Sequence, residues 1–84
     1  MRLPVIKHIC NFIEKNDQDF VIETLEVLEH LISARGIKEE ELDVIGELIS
    51  NMEGALEVEK MIRGGMTQKE ALNSFMKRVS NIGQ

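Results

Sequence analysis

Apolar side chains recur with the period of an α-helix along the whole chain, and no segment alternates with the period of two that a strand requires. In residues 4–16 the apolar positions form one arc of a helix and the polar positions lie opposite. Residues 18–34 divide in the same way, with leucines and valines on one face and glutamates on the other. The pattern predicts amphipathic helices at about these two ranges.

A third helical pattern covers residues 38–63. Its apolar stripe begins at Leu42 and ends at Ile62, and three glutamates in its first turn suit the helix dipole. Two interior glycines, Gly46 and Gly54, each cost about 1 kcal/mol relative to alanine. We expect one long helix, and a break near Gly54 is the alternative.

The fourth pattern follows Gly64 and Gly65, which end the third helix. Thr67 and Glu70 have the spacing of a capping box, in which each side chain bonds to the other residue's backbone amide. An apolar face then continues through residues 68–82. Four helices with short connections predict a single all-α domain over residues 1–84, either an antiparallel four-helix bundle or an orthogonal array.

The composition narrows the class of protein. The chain has 84 residues, a net charge of −5 and one cysteine, Cys10, which cannot form an internal disulfide and fits a reducing compartment. No apolar run approaches the roughly 18 residues of a membrane span, and no signal-peptide pattern opens the chain. We therefore expect an acidic cytoplasmic protein that is neither exported nor inserted into a membrane.

No sequence motif of catalysis or cofactor binding is present. The chain lacks the glycine-rich phosphate and dinucleotide loops and the paired cysteines of redox and zinc sites. Glu26 and His30 share a helix face, but Val27 stands where a di-iron Glu-x-x-His motif needs its glutamate. We expect a solvated acidic face there, no metal or other cofactor, and no enzymatic activity.

Cys10 lies on the apolar arc of the first predicted helix, where a cysteine usually packs as a small hydrophobic residue. A thiol-linked accessory of a redox enzyme is an alternative function. It requires Cys10 to be exposed, with a lowered thiol pKa.

Charge is divided along the chain. Residues 1–16 carry three basic and one acidic side chain (+2), residues 17–59 two and thirteen (−11), and residues 60–84 five and one (+4). The five basic residues of the last segment form a candidate patch: Lys60, Arg63, Lys69, Lys77 and Arg78. They can pair with the acidic helices, meet an acidic surface of another copy, or contact a polyanion.

A nucleic-acid-associated regulator is the alternative function that this patch suggests. Residues 66–72 resemble the opening of a helix in helix-turn-helix DNA-binding proteins. However, only twelve residues follow Leu72, so we expect no recognition helix after it. The acidic net charge and the three phenylalanines as the only aromatic residues also disfavour nucleic acid.

Small residues recur every four positions on the third predicted helix, on the side that we expect to lie opposite its apolar stripe. They are Gly46, Ser50 and Gly54, and Val58 and Met61 continue nearby. Small side chains at this spacing let another backbone approach closely. The strip is a candidate interface with another helix or another subunit.

Four apolar side chains fall off the main stripes: Ile22, Val44, Val58 and Met61. A short chain buries a limited core, so oligomerisation is a natural use for such residues. The sequence predicts a non-enzymatic, self-associating interaction module with a regulatory or adaptor role. We expect a homodimer that forms through the third helix and the apolar surplus of the second.

Three stretches carry a family resemblance: EELDVIGELISNM at residues 40–52, GALEV at residues 54–58 and VIETLEVLE at residues 21–29. They resemble a small uncharacterised helical family of marine and related bacteria and their phages. The resemblance implies an all-helical cytoplasmic domain. It implies no activity, cofactor or catalytic residue.

Overall fold

A computed structural model describes the backbone of residues 1–82 and the side chains of residues 1–80. The chain forms α1 (Leu3–Lys15), α2 (Asp19–Ile32), α3 (Glu39–Arg63) and α4 (Gln68–Ile82). Residues 1–82 contain no β-strand, and the helices pack against one another. The predicted all-α fold is confirmed, and each helix begins and ends within two residues of its predicted range.

α2 shows the largest difference from its predicted range, because it ends at Ile32 rather than near residue 34. The backbone amide of Ser33 and its hydroxyl both donate to the carbonyl of His30, at 3.2 and 3.0 Å. Gly36 then turns the chain with φ of +84°, which a glycine adopts without strain.

α3 is continuous through both of its glycines, so the predicted long helix is confirmed and no break occurs near Gly54. A Cβ atom built on Gly54 would lie 3.1 Å from Cζ of Phe75 on α4 and 3.2 Å from Cδ1 of Ile6 on α1. Gly54 is therefore the point at which side chains from two helices approach the backbone of α3. This close packing offsets the low helix propensity of glycine.

α3 is also the centre of the fold, since each of the other three helices packs against it. The buried apolar residues come from all four helices: Ile6, Cys10, Ile13, Val21, Leu25, Ile49, Ala55, Val58, Ala71, Leu72 and Phe75. A helix surrounded on several sides buries residues around most of its circumference. The single apolar stripe predicted for α3 is therefore too simple: Val58 off the stripe is buried, and Leu48 on it is exposed.

α1 lies along the later part of α3 and runs in the same direction. The amino group of Met1 is 3.3 Å from a carboxylate oxygen of Glu47, and the thiol of Cys10 is 3.7 Å from the carbonyl oxygen of Ala55. Residues later in α1 thus contact residues later in α3, so the two helices are parallel. Such a relation between first and third helices is found when successive helices alternate in direction.

Asn51 joins the start of α1 to α3. Its side chain is buried, accepts a hydrogen bond from the Arg2 backbone amide at 2.9 Å and donates one to the Glu47 carbonyl at 2.8 Å. Both polar ends of the amide group are therefore satisfied inside the protein.

The capping box predicted before α4 is confirmed. The Thr67 amide donates to Oε1 of Glu70 at 3.0 Å, and the Glu70 amide donates to the Thr67 hydroxyl at 3.1 Å. The hydrogen bond that the Glu70 carboxylate accepts from the Thr67 amide, followed by the interaction with the Thr67 side chain, lowers the pKa of Glu70. Over the described part of the chain, none of the helices has the length and hydropathy needed to cross a membrane.

Candidate interaction site

An apolar groove with a volume of about 510 Å³ lies between α1 and α2. The α1 wall consists of Val5, His8, Ile9 and Phe12, which share one face of the helix. The α2 wall consists of Phe20, Val21 and Thr24, and Met52 of α3 completes the lining. A groove of this kind, almost entirely apolar and open to solvent, is typical of a surface that binds another molecule.

Two phenylalanines connect the walls. The rings of Phe12 and Phe20 meet edge to face, with centroids 5.9 Å apart and planes at 85°. The two residues nevertheless remain 44% and 57% exposed. Each therefore offers apolar surface to a partner while its ring is already held in place.

The groove exists because α1 and α2 each carry an apolar arc wider than α3 can cover. Ile6, Cys10 and Ile13 point from α1 into the core, so the neighbouring row with Val5 and Phe12 is left at the side. The sequence pattern predicts two amphipathic helices but not the groove between them. The width of the arcs was the only sign of it in the sequence.

The small-residue strip predicted on α3 is not a free face. Gly54 and Val58 are buried inside the protein, and Met61 packs against the core. Gly46 and Ser50 are half-buried, and nothing lies within 4 Å of a Cβ atom built on Gly46. At Gly54 the strip meets other helices of the same chain, since Ile6 of α1 and Phe75 of α4 approach it there. Gly54 and Val58 are buried and offer no surface to another subunit.

The four off-stripe apolar residues divide into two pairs. Ile22 and Val44 are exposed, as the argument for self-association requires, whereas Val58 is fully buried and Met61 lies against the core. Only the first two are available to another molecule.

Two of the five residues of the predicted basic patch pair with acidic residues of the same chain. Nε of Arg63 is 3.6 Å from a carboxylate oxygen of Glu59, and Nη2 of Arg78 is 3.2 Å from one of Glu57. The Arg78 guanidinium also lies 5.7 Å from the centre of the Phe75 ring.

The other three, Lys60, Lys69 and Lys77, are exposed. Lys69 lines a shallow depression together with Lys7 of α1. Internal pairing therefore accounts for part of the patch, and contact with a polyanion stays a prediction.

Cys10 is fully buried, as its place on the apolar arc predicts. Burial, followed by the nearby carboxylates of Glu59 and Glu14, raises the pKa of its thiol to about 11. A protonated, inaccessible thiol is a poor nucleophile. The interpretation of Cys10 as an exposed, low-pKa thiol of a redox accessory is therefore wrong.

Glu59 is a buried acidic residue that the sequence did not single out. One carboxylate oxygen faces Arg63, and the other has no hydrogen-bond partner within the described residues. No group of three or more His, Cys, Asp or Glu side chains is placed to hold a metal ion in residues 1–80.

Comparison with known proteins finds a family model that matches residues 1–82, which include all four helices. Its description is that of a family of unknown function. No curated protein and no solved structure matches the chain.

Proposed function

Since the chain belongs to DUF6952, a family of unknown function, we propose a role from its own surfaces: a non-enzymatic helical module that forms a homodimer through the groove between α1 and α2. The observation that supports this proposal is the apolar groove with the exposed rings of Phe12 and Phe20 at its edge. We place the dimer in the cytoplasm, in a regulatory or adaptor role.

The groove and its phenylalanines suit a twofold contact. A twofold interface uses the same patch on both copies, so a projecting group must lie beside the cavity that receives it. Phe20 projects at the edge of the groove that it helps to line. In the proposed dimer, the Phe20 ring of each copy enters the groove of the other.

Charge selects the orientation of the two copies. The segment with α1 carries a net charge of +2, whereas the exposed face of α2 carries glutamates at positions 23, 26 and 29. A twofold axis along the groove places α1 of one copy over α2 of the other and brings opposite charges together. An axis across the groove would place α2 over α2, where like charges repel.

The face is small, which favours a weak dimer. α1 has 13 residues and α2 has 14, so each helix is about 20 Å long at about 1.5 Å per residue. A face of that length across two helices buries on the order of 1,000 Å² in a dimer, at the lower end of specific interfaces. We expect a dissociation constant of about 1–100 μM.

Light scattering coupled to size exclusion tests the dimer. At concentrations above the dissociation constant, the wild-type chain should elute with the mass of two chains, and Phe20→Ser should weaken the dimer by about tenfold. Ile32→Ser is the matched control, because Ile32 is an exposed apolar residue of α2 that does not line the groove. A monomeric wild-type protein at high micromolar concentration would exclude the dimer.

A charge substitution tests the orientation. Lys15 lies on the same side of α1 as His8 and Phe12. Lys15→Glu should weaken the dimer about two- to fivefold, because the new carboxylate would face an acidic helix of the other copy. Lys60→Glu is the control: it changes the net charge by the same amount on a different helix and should leave the dimer unchanged. Equal effects of both changes would contradict the orientation.

A further inference from the structure

We propose that the early turns of α3 form a second docking face, which binds a basic amphipathic helix of another protein. This acidic α3 face comprises Glu40, Asp43, Val44, Glu47 and Leu48. It is separate from the groove between α1 and α2, so each proposal can be tested without the other.

The face is uncovered because α1 starts too late along α3 to reach it. The Met1 amino group pairs with Glu47 at 3.3 Å, and the Arg2 amide bonds to Asn51 at 2.9 Å. α1 runs from there toward the carboxyl end of α3. The turns of α3 before Glu47 therefore have no α1 side chains above them.

Two apolar residues are exposed as a result. Val44 is 60% exposed and Leu48 is 39% exposed, and their i, i+4 spacing places them on one side of the helix. Shallow depressions of about 350 and 420 Å³ adjoin Val44 on either side. Together these features suit a short row of aliphatic side chains from a partner helix.

Carboxylates surround this apolar centre and specify the charge of the partner. Asp43 and Glu47 line one depression, and Glu40 and Glu41 line the other. Glu47 pairs with the amino terminus and Glu41 accepts a bond from the Lys38 amide, but within residues 1–80 no basic group pairs with Glu40 or Asp43. Lysines or arginines beside the aliphatic row of a partner would supply the missing counter-charges.

Another protein fits this face better than a second copy of the chain. Five of the ten basic residues of this chain lie on the last part of α3 and on α4, and three more lie within residues 1–16. A self-contact would therefore join different surfaces of the two copies. Such contacts generate rings or open filaments rather than twofold dimers. Arg78 is in addition already paired with Glu57.

Binding of designed helical peptides to the full chain tests the proposal by fluorescence anisotropy. The probe is a peptide of about 18 residues, or five turns, with leucines at i, i+4, i+7 and i+11 flanked by lysines. One control peptide replaces the leucines with alanine, and the other replaces the lysines with glutamate. We expect measurable binding of the first peptide alone, and weaker binding as NaCl rises from about 0.05 to about 0.5 M.

Matched variants locate the site. Val44→Ser should weaken binding about fivefold, whereas Val27→Ser should not, although Val27 on α2 is equally exposed at 61%. The double variant Asp43→Asn with Glu40→Gln should reduce the salt dependence of peptide binding. The double variant Glu26→Gln with Glu29→Gln is the control and should leave that salt dependence unchanged. Circular dichroism confirms that each variant is folded.

Three results would overturn the proposal. Equal loss of binding in Val44→Ser and Val27→Ser would show that the peptide does not bind at the acidic α3 face. Loss in Phe20→Ser but not in Val44→Ser would show that the peptide occupies the groove instead. Salt-sensitive assemblies larger than a dimer that dissociate in Val44→Ser would identify a second copy as the occupant.

Discussion

Substitution of the two interior glycines of α3 by alanine separates helix propensity from packing. At Gly46 a new Cβ atom meets nothing within 4 Å, so alanine should raise the free energy of unfolding by about 1 kcal/mol. At Gly54 the same gain applies, but the new atom would lie 3.1 Å from Phe75 and 3.2 Å from Ile6.

The packing cost at Gly54 should exceed the gain in propensity. Phe75 is 4% exposed and Ile6 is fully buried, so neither side chain can move aside freely. Overpacking a closed core costs about 1–3 kcal/mol. The expected net change for Gly54→Ala is therefore a loss of up to about 2 kcal/mol, against a gain of about 1 kcal/mol for Gly46→Ala.

Urea and thermal unfolding followed by circular dichroism measure both changes. For a chain of this size, 1 kcal/mol corresponds to a shift in Tm of about 4–8 °C, so the two variants should shift in opposite directions. The measurement is repeated at two protein concentrations, because dimerisation contributes to stability. If Gly54→Ala stabilises the protein as much as Gly46→Ala, the close approach of α1 and α4 to α3 is refuted.

Three further experiments test the buried residues Asn51 and Cys10. Asn51→Ala should lower the free energy of unfolding in urea by about 1–3 kcal/mol, because it removes both bonds of a buried amide; a loss below about 0.5 kcal/mol would contradict that role. Cys10 should react with a thiol reagent only after unfolding, and rapid labelling of the native protein would contradict its burial. Folding raises the pKa of the Cys10 thiol from 9.0 to about 11, so the folded state holds this proton more tightly than the unfolded state. The resulting contribution to the free energy of unfolding is complete below pH 9 and is lost as the pH rises to 11. This loss, about 2–3 kcal/mol, should be absent in Cys10→Ala, and an equal pH dependence in both proteins would contradict it.

The sequence predicts the helices well because their determinants are local. The capping box at Thr67 and Glu70, the apolar period and the glycines at the helix ends all act within a few residues. They require no knowledge of which helices meet. The ends of all four helices could therefore be predicted to within two residues.

The arrangement of the helices depends on contacts between distant residues, which one sequence does not reveal. Val58 lies off the main stripe, which predicts an exposed position, yet it is buried because α3 is surrounded. The sequence makes Gly54 either a candidate interface or a break, and in the structure it is where Ile6 and Phe75 approach α3. The idea of close approach was correct, but the approaching helices belong to the same chain.

The candidate site could be predicted only in part for the same reason. Phe12 and Phe20 belong to apolar arcs that predict core positions, and their exposure follows from how far apart α1 and α2 lie on α3. The exposure of Ile22 and Val44 agrees with their place off the main stripes. The periodicity of a helix shows which residues share a face, but not how much of that face a neighbour covers.

The most direct test of the proposed dimer is an isotope-filtered NMR experiment on a mixture of labelled and unlabelled chains, which reports only contacts between copies. The proposed twofold contact predicts cross-peaks between the Phe20 ring of one copy and the Met52 methyl group of the other, since Met52 lines the groove that Phe20 enters. Contacts between copies that involve α4 or the acidic α3 face, with none at Phe20, would contradict it.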